Sequence, residues 1–583
     1  MKLLRKLGWF FQLEKRRYLI GIFSLSLVAV FNLIPPRVIG HIVDHITQKD
    51  LTPSQLWLNV FWLVMSGFIM YGLRYIWRIY IFGTANRLAR ILRLRLFEQF
   101  TKMSPSFYQN YRTGDLMAHA TNDINAVTNT AGGGVMSAVD ASITALVTLL
   151  TMIFAIDWRL TLIAVLPLPL MAFATSRLGR KNHASFKAAQ EAFSDLNNKV
   201  QESVSGVKVT KSFGYQKEET ESFADINQTV YEKNILSARY NSLFSPFVLF
   251  FVGISYLLTL IVGSVLIRQG ELTIGELVTF ITYLDMLVWP LMAMGFLFNV
   301  IQRGTVSYER IESLLSQESD IQDSHKTLAQ IENGSLTYAI DSFAYEDLTT
   351  LSDVHFSLEK GQTLGIVGVT GSGKTTLLKL LLRERDVQDG AISLNGHDIR
   401  DYSLSDLRSL IGYVPQDQML FATSIRDNIR FANPELSDDQ VERVTKLCGV
   451  YEDIQDMPEG LDTVIGERGV SLSGGQKQRL AMSRALIMNP EILILDDSLS
   501  AVDAKTEHLI LENLKAERAD KTTIITAHRL SAVVHADVII VMEDGTIKER
   551  GNHESLMAQQ GWYYETYQSQ QIAQSLEGDA DEN

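Results

Sequence analysis

At 583 residues the chain exceeds what a single hydrophobic core serves and suits two or three domains. Hydrophobic residues make up 46% and charged residues 20%, which argues against a purely soluble chain and for an apolar part joined to a globular one. A net charge of −13 argues against nucleic-acid binding, and the single cysteine, Cys448, excludes an intramolecular disulfide and a multi-cysteine metal site.

The first 17 residues interleave Lys2, Arg5, Lys6, Lys15, Arg16 and Arg17 with Leu3, Leu4, Trp9, Phe10 and Phe11. This reads as a helix lying at the cytoplasmic membrane surface, not as a cleavable signal peptide. Apolar segments follow at 18–34, 56–73, 141–156, 160–175, 243–267 and 277–300. A bilayer core of about 30 Å needs about 20 helical residues, so each segment with its flanks predicts one span. Six spans put both termini on one side. The basic N-terminus makes that side the cytoplasm and the location the cell membrane, with lipids as neighbours.

The connections at 157–159 and 268–273 are short, whereas 74–134 and 176–242 are long and charged. Residues 82–109, if helical throughout, would project about 40 Å as a rigid arm. Pro35-Pro36 and Trp289-Pro290 should bend the first and last spans. Asp285, inside the last span, is costly in a bilayer and predicts either a cation-binding role or a helix-pairing one. Composition turns polar at 317–333, the expected linker between a membrane domain at 1–316 and a domain at 334–570. Short β-type runs alternate with helical patterns there, which predicts an α/β fold. The acidic end, 571–583, is expected to be a disordered tail.

Three motifs carry the chemistry. Gly368-Val369-Thr370-Gly371-Ser372-Gly373-Lys374-Thr375, followed by Thr376, lies between a strand pattern at 363–367 and a helical one. That context makes it a P-loop, with backbone N–H groups for phosphates, Lys374 for the β/γ-phosphates and the Thr375 hydroxyl for Mg²⁺. Asp496 ends the apolar run 492–495 and is placed to hold Mg²⁺. Leu472-Ser473-Gly474-Gly475-Gln476 begins a helix suited to anionic oxygen.

In this order and spacing the three motifs resemble the nucleotide-binding domain of ABC transporters, and the chain as a whole resembles an ABC half-exporter. The resemblance implies ATP and Mg²⁺ as cofactors. It implies further roles for Gln416 as the Q-loop glutamine touching Mg²⁺, His528 as the switch histidine and Asp503 in the D-loop. Tyr345, with Phe343 as a rival, matches the aromatic that stacks on adenine. Segments 112–116 and 202–206 resemble the loops where coupling helices meet the ATP-binding domains. Ser473, Gly474, Gly475 and Gln476 would cap the ATP of a partner.

Most active members of the family place glutamate after the Mg²⁺-binding aspartate, as general base. This chain has Asp497 there, one methylene shorter, and about 1 Å of misplacement can cost roughly 10²-fold. The resemblance therefore implies the slow-site subunit of a heterodimeric multidrug exporter, with a second half-transporter as partner and a small amphipathic compound as substrate. The heterodimer is the economical reading of that asymmetry, and a homodimer that tolerates Asp is the alternative assembly. Lipid, glycolipid or peptide export and a membrane-tethered regulatory ATP-binding subunit are the competing functions.

Overall fold

The computed structural model describes residues 2–323, 334–346, 348–466 and 472–581, so most of the expected linker lies outside the described residues. The chain forms two compact units. One is Met1–Thr101 with Arg112–Gln317, and the other is Lys102–Tyr111 with Glu318–Asn583.

In the first unit, six helical stretches among the described residues are long and apolar enough to cross a bilayer. The first consists of α1 (Lys15–Phe31) and α2 (Ile34–Gln48), separated just before Pro35-Pro36. Proline takes the opening turn of α2 because its missing N–H is one a helix start leaves unpaired in any case. The second is α3 (Pro53–Lys102), 50 residues or about 75 Å long. Only 6% of its most apolar window is buried, so lipid or another chain must cover side chains such as Trp57, Phe61 and Phe68.

The arm expected to stay helical to residue 109 instead ends at Lys102. Ser104 is extended (ψ 161°) ahead of Pro105, and α4 (Pro105–Asn110) starts afresh. Beyond α5 (Thr113–Ala118), two π-helical turns lead into α6 (Val135–Ala155). The remaining stretches are α7 (Trp158–Val165) with α8 (Pro167–Ser205), α9 (Gln216–Ser242) with α10 (Phe244–Arg268), and α11 (Ile274–Leu315). A capping box of Thr273 and Glu276 starts α11, which continues without interruption through Pro290.

The second unit holds two sheets. β1 (Leu336–Tyr345), β2 (Leu348–Leu358), β4 (Asp389–Leu394) and β5 (His397–Asp398) form an antiparallel sheet in the order β2-β1-β4-β5. The other sheet runs β10-β9-β3-β8-β7-β6, from β3 (Thr363–Gly368), β6 (Ile411–Val414), β7 (Ile492–Asp496), β8 (Thr522–Thr526), β9 (Val538–Glu543) and β10 (Thr546–Gly551). Its five strands β9 to β6 are parallel and β10 is antiparallel. Alternate residues serve two cores: Leu364, Ile366, Ile494 and Ile524 on one face, Val367, Leu493, Leu495 and Ile525 on the other. Burial on both faces explains why these strands read as unbroken apolar runs.

Helix α12 (Lys374–Leu381) follows β3, α13 (Gly474–Leu486) precedes β7 and α14 (Ala504–Glu517) leads to β8. The last helix, α15 (Trp562–Asp581), runs through most of the segment that composition reads as a disordered tail. Gln, Ala, Leu and Glu favour helix, and the buried Tyr563 anchors its start. Cys448 is fully buried and burial pushes its thiol up to about 12, as an inert core cysteine requires.

Candidate nucleotide site

The parallel strands deliver the motif residues to one edge of the sheet, their carboxyl ends, where open α/β sheets bind ligands. β8 lies between β3 and β7, so residue 526 stands between the glycine-rich loop and Asp496-Asp497. Gln416 follows β6, the strand beside β7.

The loop from β3 to α12 turns through Gly368 (φ +141°), Gly371 (φ +84°) and Gly373 (φ +100°). Lys374 is buried and its Nζ donates to the Gly368 and Val369 carbonyls, both at 2.9 Å. Burial lowers the pKa of this ammonium, while Asp497 and Asp496 act to raise it. The Ser372 hydroxyl is buried and, among the described residues, has no hydrogen-bond partner.

Asp496 is fully packed at the end of β7. Its Oδ1 accepts from the Thr375 hydroxyl at 3.1 Å and the Thr526 hydroxyl at 2.7 Å, and its Oδ2 lies 3.5 Å from the Tyr413 hydroxyl. The Thr375 and Asp496 oxygens are hard donors on two different elements, a set that fits Mg²⁺. Asp497 occupies the left-handed region (φ +46°), which Asp tolerates better than most residues. Its N–H is held by the Thr526 carbonyl and hydroxyl at 3.1 and 3.0 Å. Its Oδ2 accepts from Gln416 Nε2 at 3.3 Å. Thr526 thus pins both carboxylate residues, and the motif reading missed it. A hydroxyl ending an apolar strand, 30 residues from its partner, has no local signature.

His528 is exposed and lines a cleft of about 100 Å³ with Asp497, Ser498, Leu499, Ser500 and Arg529. Phe343 is buried in the core and packs edge-on against the half-buried Tyr345, which leaves Tyr345 as the accessible ring. The Arg385 guanidinium lies 5.0 Å over that ring and donates to Gln109 on α4 at 3.1 Å. Ser106 of α4 also donates to Asp320. The stretch of the arm that packs on this unit is therefore 102–111, just before the segment 112–116 that the resemblance singled out.

Ser473 caps α13 through a capping box with Gln476, and both Ser473 and Gly474 are exposed. The Gln476 amide is engaged locally, donating to Asp453 at 3.0 Å. The buried Gln478, one turn on, ties α13 to the loop after β7. Its Nε2 donates to Ser500 at 3.2 Å and its Oε1 accepts from the Ala501 N–H at 3.0 Å. Asp503 caps α14, accepting from the Thr506 N–H at 3.0 Å, and that bond lowers its pKa. The signal available for Gln478 was its four-residue spacing from Gly474 on α13.

Residues 18–291 match the ABC transporter transmembrane region and residues 351–500 match the ABC transporter family. The Bacillus subtilis protein named "Probable multidrug resistance ABC transporter ATP-binding/permease protein YheI" is 44% identical over 581 residues, 99% of each chain. The "Multidrug resistance-like ATP-binding protein MdlA" of Escherichia coli is 41% identical over 585 residues, covering 100% of this chain and 99% of that one. A solved bacterial Atm1-family ABC exporter with ATP bound has a TM-score of 0.77 at 26% identity, over 95% of this chain and 98% of the other. Membrane spans, P-loop domain and relatives agree over essentially the whole length: the chain is a multi-pass membrane protein and belongs to the ABC transporter family, as an exporter-type half-transporter.

Proposed function

We propose that this chain is one half of a heterodimeric exporter of amphipathic compounds, in which its own P-loop binds ATP but turns it over slowly. The observation that carries the nucleotide reading is the clamp on Asp496, whose carboxylate meets the P-loop hydroxyl of Thr375 on one side and Thr526 on the other. Residues 368–376 hold the phosphates, with Lys374 neutralising the β/γ-phosphates and Tyr345 stacking on adenine. Thr375, Asp496 and Gln416 hold Mg²⁺, which when bound offsets phosphate charge. His528 faces the terminal phosphate. Asp497 is the base position, and its shorter side chain, already engaged by Gln416, sits back from an attacking water.

The exposed Ser473 and Gly474 support a trans role for the α13 start, capping the partner's ATP. The asymmetry rests on one methylene, and turnover measures it. This chain purified alone should hydrolyse ATP about a hundredfold more slowly than after its partner is added. Fast turnover by the isolated chain, unchanged by any partner, would sink the heterodimer.

The cargo class is supported by the multidrug names of the relatives and by a cavity of about 370 Å³ in the membrane unit. Phe11, Tyr18, Ile22, Val135, Val139 and Ile301 line it. Its polar neighbours are satisfied internally. The Tyr18 hydroxyl donates to the Ala131 carbonyl at 2.9 Å and the Thr130 hydroxyl to the Val300 carbonyl at 2.9 Å. What faces the cavity is hydrocarbon and ring, of the size that takes a drug-like molecule.

Asp285 on α11 accepts from the Tyr256 hydroxyl at 3.2 Å, which leaves one carboxylate oxygen for a cationic substrate. Asp285→Asn should raise the half-maximal concentration of a cationic stimulator of the ATPase about tenfold and leave a neutral one unchanged. A common shift of both dose–response curves would make the Tyr256 pair purely structural.

A further inference from the structure

The loop after β8 is held from outside. Gln570 on α15 donates through Nε2 to the His528 carbonyl at 2.9 Å and accepts through Oε1 from the Leu530 N–H at 2.8 Å. One amide thus grips the backbone on both sides of Arg529. The Leu530 N–H opens the 3-10 turn Leu530–Val533, and such leading donors have no partner within their own helix. Gln570 supplies that cap from 40 residues away.

The grip is rigid because α15 is anchored one and two turns earlier. Tyr563, Tyr567 and Gln570 fall on one face at i, i+4 and i+7. Tyr563 is fully buried and its hydroxyl bonds His553 Nδ1 at 2.9 Å, while the Tyr563 and Tyr567 rings stack at 6.3 Å. Glu549 accepts from the first amides of the helix, Trp562 at 2.5 Å and Tyr563 at 3.2 Å, a carboxylate at the positive end of the dipole. Among the described residues no comparable tether holds the exposed His528 ring, so the backbone grip sets where the ring stands in the cleft beside Asp497.

We propose that Gln570 is a positioning residue for His528, and that the C-terminal helix thereby sets how well this chain's site distinguishes ATP from ADP. The inference rests on the assignment of His528 to the terminal phosphate. Adenine is assigned to Tyr345 and the phosphates shared with ADP to the loop 368–376, so a loosened loop at 528–530 should cost ATP binding and spare ADP. Anything that moves α15, including a partner engaging the acidic end of the chain, would then reach the nucleotide through a single side chain.

The test uses the full-length chain in detergent, with Mg²⁺ and either ADP or the β,γ-imido analogue of ATP. Gln570→Met keeps the length and removes both bonds, and Gln570→Glu keeps only the acceptor. For Gln570→Met, amide exchange across 528–533 should speed up about fivefold, the factor of roughly one net hydrogen bond, and the analogue-to-ADP affinity ratio should fall about fivefold. Gln570→Glu should fall between Gln570→Met and the parent in both readouts. His528→Ala should lower the ratio without changing exchange at Leu530. An unchanged ratio in Gln570→Met beside a lowered one in His528→Ala overturns the positioning role, as does an equal weakening of both nucleotides. An unchanged ratio in His528→Ala overturns the underlying assignment of His528 instead.

Discussion

Gly474→Asp in this chain is expected to abolish ATP turnover by the assembled transporter, by about 10²-fold or more, whereas Asp497→Asn should lower it only mildly. Among the described residues a Cβ at Gly474 would meet only the Ala501 methyl, at 3.4 Å, an ordinary van der Waals distance. The variant should fold, since an acid in the first turn of α13 also suits the helix dipole. Its effect is electrostatic. The new carboxylate stands at the exposed helix start that is proposed to meet the partner's phosphate, and removing a single preorganised contact of this kind costs roughly 10²–10³ in rate. On the proposed asymmetry, Asp497→Asn touches only this chain's own slow site. Initial rates of the co-purified complex decide the matter, and equal losses from the two variants would place the hydrolysing site in this chain. Gly475 is unsuitable for the comparison, because its Cβ would come within 2.8 Å of the Ala501 carbonyl.

Two glycines of the P-loop should fail in opposite ways. A Cβ on Gly368 would lie 2.0 Å from the Met542 carbonyl oxygen, and the backbone there has φ +141°. Gly368 pairs with Met542 in the sheet, so relief requires opening β3 from β9. Gly368→Ala should therefore cost more than about 4 kcal/mol and leave no folded ATP-binding unit, seen as loss of the cooperative melting transition. Gly371 has φ +84°, but among the described residues nothing lies within 4 Å of its added Cβ. Gly371→Ala should cost about 1–2 kcal/mol in strain and still fold, yet bind the ATP analogue at least about tenfold more weakly, because the methyl stands at the crest of the phosphate cradle. A stable Gly368→Ala protein with a normal melting temperature would refute the steric argument. Unchanged affinity in Gly371→Ala would move the phosphates off the loop crest.

The six spans, the α/β half and the glycine-rich loop were legible in the residues because each is a local pattern. An apolar run is set by bilayer thickness, strand and helix by side-chain period, and the loop by glycines at fixed offsets from Lys374. The disturbance of the first span at Pro35-Pro36 followed from equally local chemistry. Asp497 itself, one methylene shorter than a glutamate, was equally legible, and no coordinate alters that residue's length.

Tertiary structure decided what depends on strand order and on contacts far apart in sequence. Thr526 reaches Asp496 only because β8 is inserted between β3 and β7, an order no periodicity encodes. Phe343 and Tyr345 are equivalent in a strand pattern, and they separate only when one is found in the core. Residues 102–111 belong with the ATP-binding unit because Pro105 ends the long helix and lets the next turn pack against that unit, whereas a continuous helical pattern predicted a longer arm. Gln570 looks like any exposed glutamine of a polar C-terminal helix until Tyr563 fixes which face of that helix turns inward. Local composition fixes which elements form and what chemistry they can carry. Which side chains meet is decided by the packing of those elements, because a hydrogen bond depends on distance and angle in space, not on separation along the chain.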